Sequence, residues 1–313
     1  MKKTQLSIII VSWNVKDYLK ACLESILGTV NSIEFEIFIV DNNSNDGTVE
    51  FVKERFPQVN IIANKDNLGF AKANNQAITK SHGEYVLLLN PDTIVFEGAI
   101  KKMIDRIGQD QNIGVLGPKI ITGDGRTISY CGGRKFPSVM SIVFGITTLD
   151  RYSRFFDSHS MKYWDHADSR EVDAISGSCM LIRRKTIQGV GMLDESFFMY
   201  AEDIDWCYRI KKSGWDIYYY AAAEIMHYGE KSACQKFTEV DNALESLKTY
   251  YVYFKKHKGK LYARAYKVTL VLVLFGMNVL WLVALLAHIK KRELIEQIMS
   301  RNREFIKWGA NSC

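Results

Sequence analysis

The stretch Val86-Leu87-Leu88-Leu89-Asn90-Pro91-Asp92 is a bare apolar run that ends at an amide, a proline and an acid. A run without polar alternation predicts a strand that is buried on both faces, as in a parallel sheet. Two earlier strands of the same form are predicted to end near Ser12 and Asp41. Because parallel sheets bind ligands at the carboxyl ends of their strands, we expect Asp92 to lie in a crevice and to share one polar site with these residues.

The segment from residue 6 to about residue 107 alternates between strand and helix patterns, which predicts an α/β fold with a mostly parallel, doubly wound sheet. Strands are predicted near residues 6–12, 35–40, 59–63 and 85–89, and helices near residues 16–27, 46–55, 70–80 and 96–107. Residues 123–172 are aromatic and irregular, which is typical of a region that covers a substrate. A further helix is predicted from about residue 203 to residue 212.

The charge of the chain is divided unevenly along its length. The formal net charge is +6, yet residues 248–307 alone contain 13 lysines and arginines and only 3 acidic residues. The preceding body is therefore mildly acidic, which argues against a nucleic-acid partner, and the basic tail favours an anionic membrane surface. The six cysteines are scattered without a C-x-x-C pair, as expected of reduced thiols in the cytosol.

An apolar stretch at residues 268–287 is long enough, as a helix of roughly 30 Å, to match the hydrocarbon core of a membrane. Basic residues and tyrosines crowd its N-terminal side, which favours a membrane helix over a buried core or dimer helix. Six basic residues precede it and six follow it, so charge predicts no orientation, and both a single-pass and a surface-lying helix stay open. We predict a catalytic domain at residues 1–247 and a membrane-associated region at residues 248–313.

Several well-defined motifs are absent from the sequence, including G-x-G-x-x-G after the first strand, the Walker loop, H-E-x-x-H and G-x-S-x-G. Dehydrogenase, kinase and hydrolase functions are therefore disfavoured. The polar residues that remain are carboxylates and one histidine: Asp41, Asp92, Glu202, Asp203, Asp205 and His227. Such a set suits Mg²⁺ or Mn²⁺ holding a diphosphate, with a separate carboxylate as general base. These parts predict a transferase that displaces a nucleoside diphosphate.

Six motifs in order resemble the family-2 glycosyltransferases with the GT-A nucleotide-diphospho-sugar fold, in particular the rhamnosyltransferase-like bacterial enzymes that build surface polysaccharides. The motifs are IIVSWN at 9–14, VDNNSNDGT at 40–48, NLGFAKANN at 67–75, LNPD at 89–92, SGSCMLIRR at 176–184 and YAEDID at 200–205. Any one of them is weak evidence, but six in order over two-thirds of the chain form a specific pattern.

The resemblance implies a nucleotide-sugar donor, dTDP- or UDP-linked, and Mg²⁺ or Mn²⁺ as cofactor. By the family pattern Asp41 binds the pyrimidine base, with Ser12 and Asn14 beside it; the alternative for Asp41 is a solvated turn that caps the next helix. The implied donor-binding residues are Ser12, Asn14, Asp41, Asn67, Gly69, Asn74, Asn90 and Asp92. For Gly69 a packing role alone is the alternative.

The LNPD motif resembles the D-x-D element with which the family holds the metal and the diphosphate. Asp92 matches its last acid, whereas Asn90 replaces the first, so one negative charge is lost and strict metal dependence is left open. His227 matches a late metal ligand of some relatives, and a buried, hydrogen-bonded histidine is its alternative. The implied metal ligands are Asp92 and His227.

Asp203 resembles the catalytic base in the family's Glu-Asp motif. The alternative is that the acids at 202, 203 and 205 satisfy free N–H groups and the dipole at the start of a helix. By the same resemblance, four residues border the sugar or acceptor subsite: Gly177, Ser178, Glu202 and Trp206. A core position is the alternative for Trp206, since buried aromatic residues show the same spacing.

The sequence thus predicts an inverting glycosyltransferase that moves a sugar to a hydroxyl group of a lipid-linked or other glycan acceptor at the cytoplasmic face of the cell membrane. Two alternatives stay open. A sugar nucleotidyltransferase should carry a glycine-rich, basic loop after the first strand, which residues 12–15 do not supply. A catalytically degenerate, membrane-tethered sugar-binding protein is kept open by Asn90.

Overall fold

A computed structural model of the chain describes residues 4–125, 132–153, 155–157, 159–229, 239–286 and 292–310. Its strands are β1 (Leu6–Ser12), β2 (Phe35–Asp41), β3 (Asn60–Ala63), β4 (Tyr85–Leu89), β5 (Thr93–Val95), β6 (Ile113–Thr122), β7 (Arg170–Glu171), β8 (Cys179–Arg183) and β9 (Asp216–His227). Its helices are α1 (Lys16–Thr29), α2 (Thr48–Arg55), α3 (Phe70–Lys80), α4 (Ala99–Gln109), α5 (Val139–Ile146), α6 (Arg184–Val190), α7 (Glu202–Lys212), α8 (Glu239–His257), α9 (Lys260–Leu286) and α10 (Arg292–Ala310).

The strands form one mixed sheet in the order β3-β2-β1-β4-β8-β6-β9-β5, with β7 paired to β9. The half that contains β3, β2, β1 and β4 is parallel, as predicted. Beyond it, β8 runs antiparallel to both β4 and β6, and β5 and β7 run antiparallel to β9. The α/β class is confirmed, and the sheet is mixed, since β6 and β9 in its second half also pair in parallel.

The predicted apolar runs are the central strands of the core. The five residues of β4 are all buried, and Ile8, Ile9 and Ile10 of β1 are fully inaccessible to solvent. Since a strand with both faces covered needs no polar alternation, the sequence pattern and the position in the sheet agree. Register then places Ser12 beside Asp41 at the carboxyl ends of β1 and β2. The sheet thereby aligns the residues of the predicted site.

The chain divides into two compact units, and the first carries the sheet. The first unit comprises Met1–Phe136 and Ser160–Lys236, and the second comprises Pro137–His159 and Phe237–Cys313. The predicted domain boundary at residue 248 therefore falls inside α8. A segment from the middle of the chain, which contains α5, also belongs with the C-terminal helices.

The second unit is built around α9, which packs against α5, α8 and α10. The hydroxyl of Tyr266 donates to the carbonyl of Leu247 on α8 at 3.1 Å, and the Nδ2 of Asn302 on α10 donates to Oδ1 of Asn278 at 2.9 Å. The ammonium of Lys267 lies 4.7 Å from the ring centre of Trp308 on α10. Polar contacts thus join the three helices as well as apolar packing.

The helix α9 is long and apolar enough to cross a membrane by length and composition, over Lys260–Val283. It begins earlier than the predicted 268–287 stretch, whose last residue lies outside the described part of the chain. Large apolar side chains on α9 are exposed, among them Leu272 (65%) and Leu280 (70%). A helix in the core of a soluble protein would bury such residues, so this face of α9 lacks an apolar partner within the described residues.

Candidate active site

The predicted site residues lie in three groups, which we call corners. The first, the donor corner, is formed by Ser12 and Asp41 at the ends of β1 and β2. Asp41 is 2% exposed, and its Oδ2 accepts a hydrogen bond from the N–H of Ser44 at 2.9 Å. Its other oxygen, Oδ1, and the hydroxyl of Ser12 are buried without a hydrogen-bond partner among the residues that the structure describes. Since buried polar atoms are normally paired, these two atoms indicate a place where a ligand or water binds.

Asn14 connects the two turns that follow β1 and β2. Its N–H donates to the hydroxyl of Ser44 at 2.9 Å, and its Oδ1 accepts from the N–H of Asn45 at 2.7 Å. Its backbone is left-handed, with φ of 53°, a conformation that asparagine tolerates better than most residues. Asn14 therefore holds the turn of Asp41 in place, next to the predicted donor pocket.

The NLGF turn is tied to Asn42, the residue after Asp41. The Nδ2 of Asn42 donates to Oδ1 of Asn67 at 3.3 Å and to the carbonyl of Gly69 at 3.2 Å. Gly69 has φ of +81°, and a Cβ there would lie 2.4 Å from the carbonyl oxygen of Phe198. This close approach explains the glycine by packing alone. The predicted donor residue Asn74 is buried, and its Nδ2 donates to the carbonyl of Phe70 within α3.

The second corner brings together Asn90, Asp92 and His227. The Nε2 of His227 lies 3.1 Å from Oδ1 of Asp92 and 3.2 Å from Nδ2 of Asn90. Strand pairing fixes this contact, because Thr93 of β5 is in register with His227 of β9, and the N–H of Tyr228 donates to the carbonyl of Asp92. The structure therefore joins residues that the sequence predicted as metal ligands.

This corner fits a divalent cation with few protein ligands. No group of three or more histidine, cysteine or acidic side chains able to hold a metal occurs in the described part of the chain. A carboxylate and a neutral imidazole are both ligands that Mg²⁺ or Mn²⁺ accepts. Asp92 and His227 would be the protein ligands of such an ion, which would supply positive charge next to a diphosphate.

The third corner is Asp203 at the start of α7. Its Oδ2 accepts from Nη2 of Arg134 at 2.7 Å and from the N–H of Gly177 at 3.1 Å, and its Oδ1 accepts from the N–H of Ile204 at 2.7 Å. The two residues before α7, Tyr200 and Ala201, both have left-handed backbones. Such conformations are strained in non-glycine residues and concentrate at functional sites.

The other acids of this helix start differ from Asp203. Asp205 is fully buried and pairs with Nε of Arg209 at 2.9 Å. Its role is therefore to stabilise the start of α7. Glu202 is also buried, and its Oε2 has no hydrogen-bond partner among the described residues. Burial, and then the charge of Asp203, raise the pKa of Glu202 to about 8. Glu202 is therefore mostly protonated at neutral pH.

One dipeptide connects the second and third corners. The N–H of Gly177 donates to Asp203, and the carbonyl of Ser178 accepts from the N–H of Asn90 at 2.9 Å. This link exists because β8 pairs antiparallel with β4, which puts Cys179 opposite Leu89. The backbone at residues 177–178 thus fixes the distance between the Asp92 corner and the Asp203 corner.

The prediction that Trp206 borders a sugar subsite is not supported. The side chain is fully buried, and its indole N–H donates to the carbonyl of Gly191 at 2.8 Å. It lies on the inner face of α7 and has no surface to stack on a ligand.

Two residues at the site, Asn42 and Arg134, were not among the predicted site residues. Asn42 lies inside the VDNNSNDGT motif, whereas Arg134 lies in none of the six motifs.

The fold is that of the GT-A glycosyltransferases: the parallel half of the sheet carries Ser12 and Asp41 at the ends of its strands, and it continues into a mixed half that carries His227 on β9. The chain belongs to glycosyl transferase family 2, whose sequence model matches residues 7–191. It is therefore a glycosyltransferase, and the nucleotidyltransferase and degenerate binding-protein alternatives are disfavoured.

Related proteins cover most of the chain. The N-acetylglucosaminyl-diphospho-decaprenol L-rhamnosyltransferase of Mycobacterium tuberculosis is 31% identical over 71% of this chain and 76% of that protein. Rhamnosyltransferase WbbL of Escherichia coli is 26% identical over 71% of this chain and 82% of its own length. Among solved structures, the mannosyltransferase PcManGT of Pyrobaculum calidifontis in complex with GDP-Man and Mn²⁺ has a TM-score of 0.57 at 13% identity, covering 99% of this chain and 87% of that one. The structural likeness supports the fold.

Proposed function

We propose that the protein is an inverting glycosyltransferase of polysaccharide synthesis, which moves a sugar, rhamnose by its relatives, from a dTDP- or UDP-sugar to a hydroxyl group of a lipid-linked glycan. The observation that carries this proposal is the Gly177-Ser178 link. It holds a carboxylate, Asp203, at a fixed distance from the Asp92–His227 pair. An inverting reaction needs such a base on the side of the sugar opposite the departing diphosphate.

The donor would bind across the first two corners. The unpartnered atoms, Oδ1 of Asp41 and Oγ of Ser12, supply an acceptor and a hydroxyl for the edge of a pyrimidine base. Asp92 and His227 would hold Mg²⁺ or Mn²⁺ against the diphosphate, and the ion would offset the charge that develops on the leaving group. The solved mannosyltransferase complex contains Mn²⁺ with its nucleotide sugar, which supports this assignment.

Asp203 would act on the acceptor. Its carboxylate removes the proton from the acceptor hydroxyl while that oxygen forms a bond to the anomeric carbon, and the bond from that carbon to the diphosphate oxygen breaks. The proton ends on Asp203 and the electron pair on the nucleoside diphosphate. Direct displacement in one step inverts the configuration of the anomeric carbon. Glu202, buried beside Asp203, would limit access of water to the base.

The second unit would bring the enzyme to its acceptor. The Mycobacterium tuberculosis relative is named for a diphospho-decaprenol substrate, and such a lipid resides in a membrane. The exposed apolar residues of α9 and the basic tail fit a membrane surface. Two aromatic residues of the same unit, Tyr152 and Phe155, are also exposed, by 81% and 78%. We place the protein at the cytoplasmic face, as a single-pass or peripheral protein.

The test is release of nucleoside diphosphate from a panel of UDP-, GDP- and dTDP-sugars, with and without Mn²⁺, using membrane extract as acceptor. Wild-type protein should turn over at least one donor, and Asp203→Asn should lower transfer by at least a hundredfold while UDP or dTDP still binds. Asp92→Asn should remove the response to Mn²⁺. Undiminished transfer by Asp203→Asn would refute the mechanism.

A further inference from the structure

Arg134 is the charged side chain in direct contact with the proposed base. Its Nη2 donates to Oδ2 of Asp203 at 2.7 Å, and both side chains are largely buried, with 17% and 12% of their surfaces exposed. The contact spans 69 positions in the sequence. A surface ion pair of two flexible side chains contributes little, but this pair is enclosed and charge-assisted.

The backbone of Arg134 is fixed before its side chain reaches Asp203. Arg134 and Ala174 form an isolated antiparallel bridge, in which each N–H donates to the other carbonyl at 2.9 Å. The N–H of Asp173 donates to the same carbonyl of Arg134, also at 2.9 Å. Three backbone hydrogen bonds therefore hold this residue against the segment that leads to Gly177.

The two glycines before Arg134 lie flat against an aromatic cluster. A Cβ at Gly132 would be 2.9 Å from the ring of Tyr219, and one at Gly133 would be 3.0 Å from Val172 and 3.3 Å from the ring of Trp164. The rings of Trp164 and Tyr219 themselves pack at 4.7 Å between centres. The two glycines thus let the backbone pack directly against these side chains, which fixes the position of the neighbouring Arg134 Cα.

The contact has a chemical consequence for Asp203. A general base must lie within hydrogen-bond reach of the proton that it removes, so its carboxylate must keep a defined orientation. The guanidinium of Arg134 places a positive charge against this largely buried carboxylate through a charge-assisted hydrogen bond. Arg134 also occupies one defined side of the carboxylate, so the orientation of the remaining lone pairs is set.

We propose that Arg134 is a positioning residue that keeps the carboxylate of Asp203 oriented toward the acceptor hydroxyl. This inference rests on the proposed role of Asp203 as base. Arg134 acts through Asp203 and remains charged throughout, and the proton from the acceptor still goes to Asp203. The experiment must distinguish this positioning role from two others. Arg134 could form an ion pair that serves only the fold, or it could bind the diphosphate of the donor.

The test compares Arg134→Gln with Arg106→Gln, an equivalent change at an arginine on α4 that pairs with Asp110 outside the site. For Arg134→Gln we expect kcat to fall at least tenfold at pH 7, with the affinity for UDP or dTDP in Mn²⁺ within twofold of the wild-type value. Arg106→Gln should change neither quantity.

Two results would overturn the proposal. A kcat within twofold of wild type would show that the ion pair does not serve the reaction, and a loss of nucleotide affinity in proportion to kcat would place Arg134 on the donor. Should Arg134→Gln fail to fold, Arg134→Lys is used instead, since it keeps the charge but not the planar donor geometry of the guanidinium. We then expect a smaller fall in kcat with nucleotide affinity unchanged, and a loss of nucleotide affinity in proportion to kcat would overturn the proposal. Asp203→Asn is assayed in the same series to distinguish failure of the Arg134 proposal from failure of the proposed function. If Asp203→Asn is active, Asp203 is not the base and the proposed mechanism is wrong.

Discussion

The contact between Asp92 and His227 joins residues 135 positions apart and places a carboxylate oxygen against an imidazole nitrogen. At the same nitrogen, Asn90 presents its amide at 3.2 Å. A second acid at position 90 would increase the charge of this corner, as in the family's D-x-D element. The asparagine leaves a corner of lower negative charge, so under the proposed function a diphosphate would face less repulsion there.

Glu202 permits a prediction of how stability depends on pH. Its pKa is raised to about 8, so between about pH 5 and pH 8 the folded protein keeps a proton that the unfolded chain releases. Stability must then fall as pH rises through this window, by up to about 1.4 kcal/mol per pH unit. Glu202→Gln removes this dependence, and its stability relative to wild type should improve steadily from pH 5.5 to pH 8.5 in urea unfolding.

The control for this prediction is Glu54→Gln on α2, because Glu54 is exposed. Its stability relative to wild type should be the same at every pH in the series. A constant difference for Glu202→Gln as well would mean that the Glu202 carboxyl reaches water in solution.

At the residue scale, the sequence could predict the positions of Asp92 and Asp203, after a strand and at the start of a helix, because they lie in motifs with defined local structure; their roles, and that of His227, stay proposals. The structure brings Asp92 and His227 into contact and gives Asp203 a buried place. Arg134 was not predictable, since it lies in the irregular segment and its partner is set by tertiary packing. Trp206 was misassigned because a core aromatic and a sugar-stacking aromatic have the same local pattern.

At the scale of elements, the turn before α3 controls the loop that leads to α7. The carbonyl oxygen of Phe198 accepts a hydrogen bond from the N–H of Phe70 at 2.8 Å. The same oxygen would lie only 2.4 Å from a Cβ at Gly69. The loop continues through the left-handed Tyr200 and Ala201 to Asp203. A displacement of Phe198 would therefore be transmitted to the base.

Gly69→Ala should be much more harmful than Gly47→Ala. Both glycines have positive φ, but a Cβ at Gly47 meets nothing within 4 Å, whereas at Gly69 it meets backbone. We expect Gly47→Ala to cost about 1 kcal/mol of stability from backbone strain alone, and Gly69→Ala to cost about 3 kcal/mol or more because overpacking is added. Urea unfolding measures both, and kcat should fall only for Gly69→Ala. Equal costs would show that the Phe198 loop can move away freely.

The order of elements was predictable where each strand is followed by a helix. The structure has α3 at Phe70–Lys80 and β4 at Tyr85–Leu89, which confirms the predicted bounds, because apolar periodicity and turn residues are local signals. The direction of β8 was not predictable. A strand that follows a long irregular connection can enter the sheet either way, and its own apolar pattern is the same in both.

At the scale of the whole molecule, the net positive charge and many of the exposed large apolar side chains lie in the C-terminal part of the chain. The sequence showed this division through its basic tail, yet it could not show that Pro137–His159 belongs to the same unit. That assignment depends on contacts between distant segments, such as the N–H of Val139 with the hydroxyl of Tyr262 at 3.4 Å. Deletion of the tail alone would leave α5 without these partners, so whole-chain variants are the better probes.

The membrane proposal predicts that the full chain floats with vesicles of phosphatidylethanolamine and phosphatidylglycerol. Leu272→Glu combined with Phe275→Glu should abolish flotation, because these α9 residues are 65% and 62% exposed and a charge within hydrocarbon costs about 3 kcal/mol per residue. The matched control is Met192→Glu, an exposed apolar position of the first unit, which should float like wild type. Alkaline carbonate then separates the two modes of attachment: a spanning α9 stays with the lipid, and a surface-lying one is released. A wild-type chain that remains in the soluble fraction would contradict the proposal and leave the exposed face of α9 to another partner.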